Sequence, residues 1–139
     1  MKVYIWSDGS SMPNGGPAGA GYVIVGGVRL LRSDALGEAT NNVAEYTAVR
    51  NALRAAWEAG ATSAHVRMDS TVVSGHLNKT STARAERLIK LKEEVEAQAA
   101  MYPGRVTYER IPREQNGVAD ELAKEGALES KRLSAEPRR

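Results

Sequence analysis

Apolar and polar residues alternate along the first part of the chain, and further on the apolar ones recur every three or four positions. Lys2 to Ser7 alternates, carries the β-formers Val3, Tyr4, Ile5 and Trp6, and predicts a strand ending at Asp8. Gly9 to Gly19 is dense in Gly, Ser, Pro and Asn and predicts a loop. Ala20 to Val25, the Gly26-Gly27 pair and Val28 to Leu31 predict a hairpin whose second arm runs on toward Leu36. From Asn41 the period changes: Val43, Tyr46, Val49, Leu53 and Trp57 fall on one helix face, and Gly60 ends that helix. Ala64 to Met68 predicts a short strand ending at Asp69, and Ser70 to Leu77 a short helix. After the polar break Asn78 to Thr82, Ala83 to Met101 predicts a second long helix with Leu88, Leu91 and Val95 inward. Pro103-Gly104 turns into a strand over Arg105 to Ile111, and the loop Pro112 to Gln115 leads to a last helix from Asn116 to about Leu128. Ser130 to Arg139 is polar, contains Pro137 and is expected to be a flexible tail.

The order βββαβααβα predicts one α/β domain over residues 1–129, a mixed sheet with helices packed on it. Its first, fourth and fifth strands are expected to be parallel, joined by right-handed crossovers. The length of 139 residues fits a single domain with a self-sufficient core. The absence of cysteine excludes disulfides, a thiolate nucleophile and thiolate-held metals, and two histidines on different elements make a zinc-histidine site improbable. No apolar run approaches membrane-spanning length, and the opening Met-Lys-Val-Tyr-Ile-Trp-Ser-Asp is not a secretion signal. A soluble, cytoplasmic protein is the expectation.

Four carboxylates stand at element ends: Asp8, Glu45, Asp69 and Asp120. Each has an ordinary explanation. Asp8-Gly9 fits a turn, Asn42 and Glu45 have capping-box spacing, Asp69 sits where a helix cap belongs, and Asp120 falls in a first helical turn. Together they suggest something else. Asp8 and Asp69 follow apolar strands predicted to be parallel, and ligands of open α/β sheets bind beyond such carboxyl ends. Glu45 and Asp120 have mainly apolar neighbours, so the four would repel one another unless a cation neutralised them. Oxygen-only donors suit Mg²⁺ or Mn²⁺, and paired ions of that kind clamp a phosphoryl displacement.

Asp8-Gly9-Ser10, Thr40-Asn41-Asn42-Val43-Ala44-Glu45, Met68-Asp69-Ser70 and Asn116-Gly117-Val118-Ala119-Asp120-Glu121-Leu122-Ala123 resemble, in order, the four motifs of type 1 ribonuclease H. The resemblance extends from residue 2 to about residue 128. It implies a ribonuclease H-like fold with sheet order 3-2-1-4-5, and endonucleolytic hydrolysis of the RNA strand of RNA–DNA hybrids, leaving 5′-phosphate and 3′-hydroxyl ends. Asp8, Glu45, Asp69 and Asp120 would be the catalytic and metal-binding residues, with two Mg²⁺ ions per site and Mn²⁺ as an alternative. Gly9, Ser10, Asn14, Gly15, Thr40, Asn41, Asn42 and Asn116 would contact the hybrid. Amide side chains suit the shallow minor groove, where the 2′-hydroxyl distinguishes RNA.

The sequence departs from many members at two places. The loop Ile111 to Gln115 has no histidine, so Arg113 or Glu114 stands where an auxiliary group is expected, and His76 on the short helix is a further auxiliary candidate, though a surface role is the more ordinary one for it. The connection Asn78 to Thr82 replaces a basic protrusion, and no hybrid-binding domain is expected before residue 1. Trp6, Tyr46 and Trp57 are expected in the core and His65 in a structural role. A monomer needing no protein partner or membrane is expected. The alternatives are a catalytically silent nucleic-acid-binding module and a ribonuclease H-like nuclease for other substrates.

The formal charge of +2 is unevenly spread. Residues 130–139 hold four basic residues and one acid, which leaves 15 basic and 16 acidic in residues 1–129. A nearly neutral body with four acids in one place would attract a polyanion only after binding cations.

Overall fold

In the computed structural model, which describes residues 1–135, the chain runs through β1 (Lys2–Ser11), β2 (Pro17–Val25), β3 (Arg29–Glu38), α1 (Asn41–Glu58), β4 (Ser63–Met68), α2 (Thr71–Leu77), α3 (Glu86–Ala100), β5 (Val106–Arg110), a 3₁₀ turn at Arg113–Gln115 and α4 (Gly117–Ala135). The strands form one mixed sheet in the order β3-β2-β1-β4-β5. β1–β2 and β2–β3 are antiparallel, while β1–β4 and β4–β5 are parallel. This is the ribonuclease H-like architecture expected.

Alternation assigns the two faces. Val3 and Ile5 of β1, Tyr22 and Ile24 of β2, and Val66 and Met68 of β4 are buried on one face, against Tyr46, Val49 and Leu53 of α1, with Leu91 and Val95 of α3 behind. Each such aliphatic side chain contributes roughly 1.5–3 kcal/mol of burial. The other face receives α4, which lies directly on β2. A Cβ on Gly19 or Gly21 would stand 2.3 Å from α4 backbone atoms, so glycine at both positions lets the helix lie flat on the strand. The same condition holds opposite, where a Cβ on Gly9 would stand 2.3 Å from the backbone of Ala44 and Glu45. Gly9 brings α1 onto β1.

Three expectations change. β1 does not end at Asp8. The ladder with β2 continues through Asp8↔Gly21, Gly9↔Ala20, Ser10↔Gly19 and Ser11↔Ala18, because backbone pairing needs no bulky side chains. What ends near Asp8 is the pairing with β4, last registered at Trp6↔Arg67.

The tail expected from Ser130 is helical as far as Ala135. A register shift between β2 and β3 pairs Ala18 with Gly37 and Gly19 with Ala35, leaving Leu36 unmatched. Ser130 Oγ, 4% exposed, accepts from Leu36 N and Gly37 N at 3.0 Å each and donates to Ala18 O at 2.6 Å. Those bonds hold the helix to the sheet edge past the point where its polar sequence reads as solvated. Residues 136–139 of the expected tail lie outside the described residues.

Trp57 is 38% exposed rather than in the core. The buried stripe of α1 runs Val49, Ala52, Leu53, Ala56, so Trp57 has rotated off it in the last turn. Tyr46 is fully buried as expected, and Trp6 is half-buried on the α4 side of the sheet. His65 is structural: its ring nitrogens pair with Thr107 Oγ1 at 2.6 Å and Glu109 Oε1 at 2.7 Å across β4–β5. Among the described residues no helix is long and apolar enough to cross a membrane.

Candidate active site

Where β1 and β4 separate, the side chains of Asp8, Glu45, Asp69 and Asp120 line one polar cleft of about 360 Å³, with Gly9, Ser10, Ser11, Met12, Asn41, Arg113 and Lys124. For three of the acids the ordinary explanations are excluded, while Asp120 does fall in the first turn of α4. Thr40 caps α1, its Oγ1 accepting from Val43 N at 3.2 Å, which leaves Glu45 in the second turn rather than in a capping box. Ser70 caps α2, its Oγ accepting from Val73 N at 3.1 Å, which frees the Asp69 carboxylate. Asp8 sits in a continuing strand, not a turn.

One oxygen from each of Asp8, Glu45 and Asp69 lies within 4.8 Å of the others. Burial, reinforced by the charges of Asp69 and Asp120, lifts the Asp8 carboxyl to about 7. Burial and the neighbouring Asp8 push Glu45 well above the usual carboxylate range. These are carboxylates crowded in a partly dry place without a counter-charge. Hard divalent cations with oxygen ligands would supply it, and the donor set of three acids fits one.

Asp120, within hydrogen-bonding reach of Asp8, is treated differently. Burial works to raise it, but Lys124 Nζ at 2.9 Å, one helical turn along α4, outweighs that and holds it below the ordinary value. Lys124 was not anticipated from the sequence, although its i,i+4 spacing from Asp120 was legible.

The remaining expected residues divide into groups. Ser11 N donates to Asn41 Oδ1 at 2.9 Å, and Asn41 N donates to Asn14 Oδ1 at 2.8 Å. Both amide oxygens therefore accept from backbone of neighbouring segments, which leaves each NH₂ group as the side chain's remaining hydrogen-bonding group. Thr40 and Gly15 are exposed beside them, and Asn42 is half-buried. Arg113 is exposed and lines the cleft, whereas Glu114 lines a separate groove with Trp6, Val23 and Leu31. His76 is buried rather than superficial, its Nδ1 2.6 Å from the Tyr46 hydroxyl, and it does not line the cleft. Asn116, expected to contact the hybrid, is 1% exposed.

Residues 7–126 match the family model described as reverse transcriptase-like. The N-terminal ribonuclease H domain of Rv2228c from Mycobacterium tuberculosis superimposes with a TM-score of 0.90 at 37% identity, over 96% of this chain and 99% of that one. The chain belongs to the type 1 ribonuclease H family. Another ribonuclease H, from the halophilic archaeon Halobacterium salinarum, superimposes with a TM-score of 0.86 at 32% identity, over 93% of this chain and 98% of that one. A third, LC11-RNase H1 solved in complex with an RNA/DNA hybrid, gives 0.86 at 31% identity, over 93% and 99%. In sequence, the bifunctional protein Rv2228c is 38% identical over 144 residues, which cover 99% of this chain and 39% of that protein. This ribonuclease H domain thus spans well under half the length of the curated mycobacterial relatives it matches.

Proposed function

We propose that this domain hydrolyses the RNA strand of RNA–DNA hybrids, using Mg²⁺ or, in its place, Mn²⁺, and that it acts as a monomer in the cytoplasm. The observation that carries the reading is the trio Asp8, Glu45 and Asp69 with oxygens within 4.8 Å of one another, where the parallel strands β1 and β4 part in a ribonuclease H fold. Asp8, Glu45 and Asp69 would hold one cation, and Asp8 with Asp120 a second. Bound divalent cations supply a water nucleophile near neutral pH and neutralise phosphate charge. Water oxygen bonds to phosphorus, the P–O3′ bond breaks, and O3′ leaves as a hydroxyl with a proton, giving 5′-phosphate and 3′-hydroxyl ends.

The chain's own residues select and orient the duplex. The NH₂ groups of Asn14 and Asn41 fit acceptors of the minor groove, including 2′-oxygens, without reading sequence. Gly9 and Ser10, which line the cleft, would with Asn42 and Gly15 complete that contact, and Thr40 would hold a phosphate of the DNA strand. Arg113 and Lys124 bring positive charge to the α4 side of the cleft, where scissile phosphate would otherwise meet Asp120 alone.

The test is a cleavage assay on end-labelled hybrid, duplex RNA and duplex DNA of one sequence, with Mg²⁺ and Mn²⁺ separately. Metal-dependent cutting confined to the RNA of the hybrid is expected. Hybrid binding without cleavage under either metal would identify a silent binding module, and preferential cutting of duplex DNA would identify a nuclease for other substrates. Either result overturns the proposal.

A further inference from the structure

We propose that Asn116 is a positioning residue that sets the relative placement of three of the four carboxylates. The inference rests on reading the acidic cleft as a divalent-cation site. β1 and β4 are last registered at Trp6↔Arg67, and the next residue of β1, Ser7, lies where the strands part. Asn116 bridges that gap. Its Nδ2 donates to Ser7 O at 2.9 Å and to Asp69 Oδ2 at 3.1 Å. Ser7 immediately precedes Asp8, so one amide ties the backbone beside Asp8 to the carboxylate of Asp69. The Asn116 carbonyl accepts from Asp120 N at 3.0 Å, so the same residue opens the helical turn that carries Asp120.

The amide has one workable orientation. Both hydrogens go to acceptors, and a flip would set Oδ1 against a carbonyl and a carboxylate. Oδ1 itself is buried with no hydrogen-bond partner among the described residues, an unfavourable desolvation that the two donor bonds offset. With 1% exposure and no place in the lining of the cleft, Asn116 acts through the acids and not on the duplex. Outer partners of this kind fix the plane of a metal-binding carboxylate.

Asn116→Asp keeps the size and removes the donor, and Asn116→Ala removes the group. Calorimetric Mn²⁺ binding to the protein alone should weaken roughly 10- to 100-fold in both variants. On hybrid, kcat should fall by a similar factor while KM stays within about twofold. Wild-type Mn²⁺ affinity in Asn116→Asp overturns the proposal. So does a raised KM with unchanged Mn²⁺ affinity, which would make Asn116 a substrate contact. Should neither variant show a cooperative thermal transition, the wild-type protein decides. The NMR signals of its Asn116 NH₂ should be protected from solvent exchange and should move on adding Mg²⁺ without nucleic acid; a freely exchanging pair that Mg²⁺ leaves unmoved overturns the assignment. Metal binding is read here without cleavage. A protein that binds Mn²⁺ in this Asn116-dependent way yet cuts no hybrid would refute the proposed activity and support the positioning role.

Discussion

On the β1 side of the cleft, Asp8, Glu45 and Asp69 crowd together, and two of them are driven toward the protonated form by burial and by one another. On the α4 side, Asp120 carries a lysine on its own helix and stays ionised. The four side chains share one chemistry and one cleft. What separates them is whether the counter-charge is built into the chain or has to be bound. The β1 side could gain its counter-charge only from a bound cation, whereas the α4 side is already half neutralised by Lys124.

Removing the central acid should break the contrast most completely. Asp8→Asn should lower cleavage by at least ~10³-fold, since several kcal/mol of charge stabilisation at the reacting phosphate are lost. The same change relieves repulsion in the metal-free protein, so at pH 7.5 its Tm should rise by roughly 3–8 °C, about 1–2 kcal/mol. Calorimetry with and without Mg²⁺ reads both effects; a variant that is less stable without metal would show that crowding at Asp8 is not a strain on the fold.

Next in size is Gly9→Ala. Its Cβ would press on the backbone of Ala44 and Glu45, costing about 2–3 kcal/mol and moving Glu45 away from Asp8. Chemical denaturation and cleavage should fall together, while Asp120 and its lysine are untouched. A variant with wild-type stability would mean that α1 can shift freely on β1.

Titration sharpens the comparison without a mutation. The Asp8 pKa of about 7 lies above its ordinary 3.8, so the metal-free native state holds a proton that the unfolded chain has released. Stability conferred by that proton is present in acid and is lost as pH rises from about 4 to about 7. Denaturation of metal-free protein should follow that slope, and saturating Mg²⁺ should remove it. A metal-free stability that rises across this window would contradict the crowding on the β1 side.

The smallest effect is expected from Lys124→Met. Without the built-in cation Asp120 is free to help hold a bound one, so the Mg²⁺ concentration giving half-maximal cleavage should drop several-fold while the Tm changes little. An unchanged or raised Mg²⁺ requirement would show that Lys124 does not compete for Asp120.

The fold was largely legible because its period-2 and period-3.6 segments bury what they advertise: Val3, Ile5, Val49, Leu53, Leu91 and Val95 are all core residues. The four acids were legible as a set through spacing and strand ends. What stayed hidden depends on contacts between distant segments. Gly-Ser-Ser after Asp8 reads as a loop, and only pairing with Ala18 to Ala20 makes it strand. His76 reads as a surface residue until Tyr46, thirty positions away, reaches its ring. Asn116 reads as the start of the last helix and a contact to the hybrid, and nothing local shows that Ser7 and Asp69 occupy both its hydrogens.

Ser130 carries a consequence well beyond the edge of the sheet where it sits. Its hydroxyl is held by three backbone groups, and about four turns earlier the same helix is tied down at Asn116. A rod pinned at both ends cannot roll. At the ~5–6 Å radius of a helical side chain, a roll of about 20° would swing a carboxylate by about 2 Å, as much as a metal–oxygen bond length. The far hydroxyl therefore acts as an angular stop for Asp120, and a change at Ser130 would be felt in the cleft as a loss of aim.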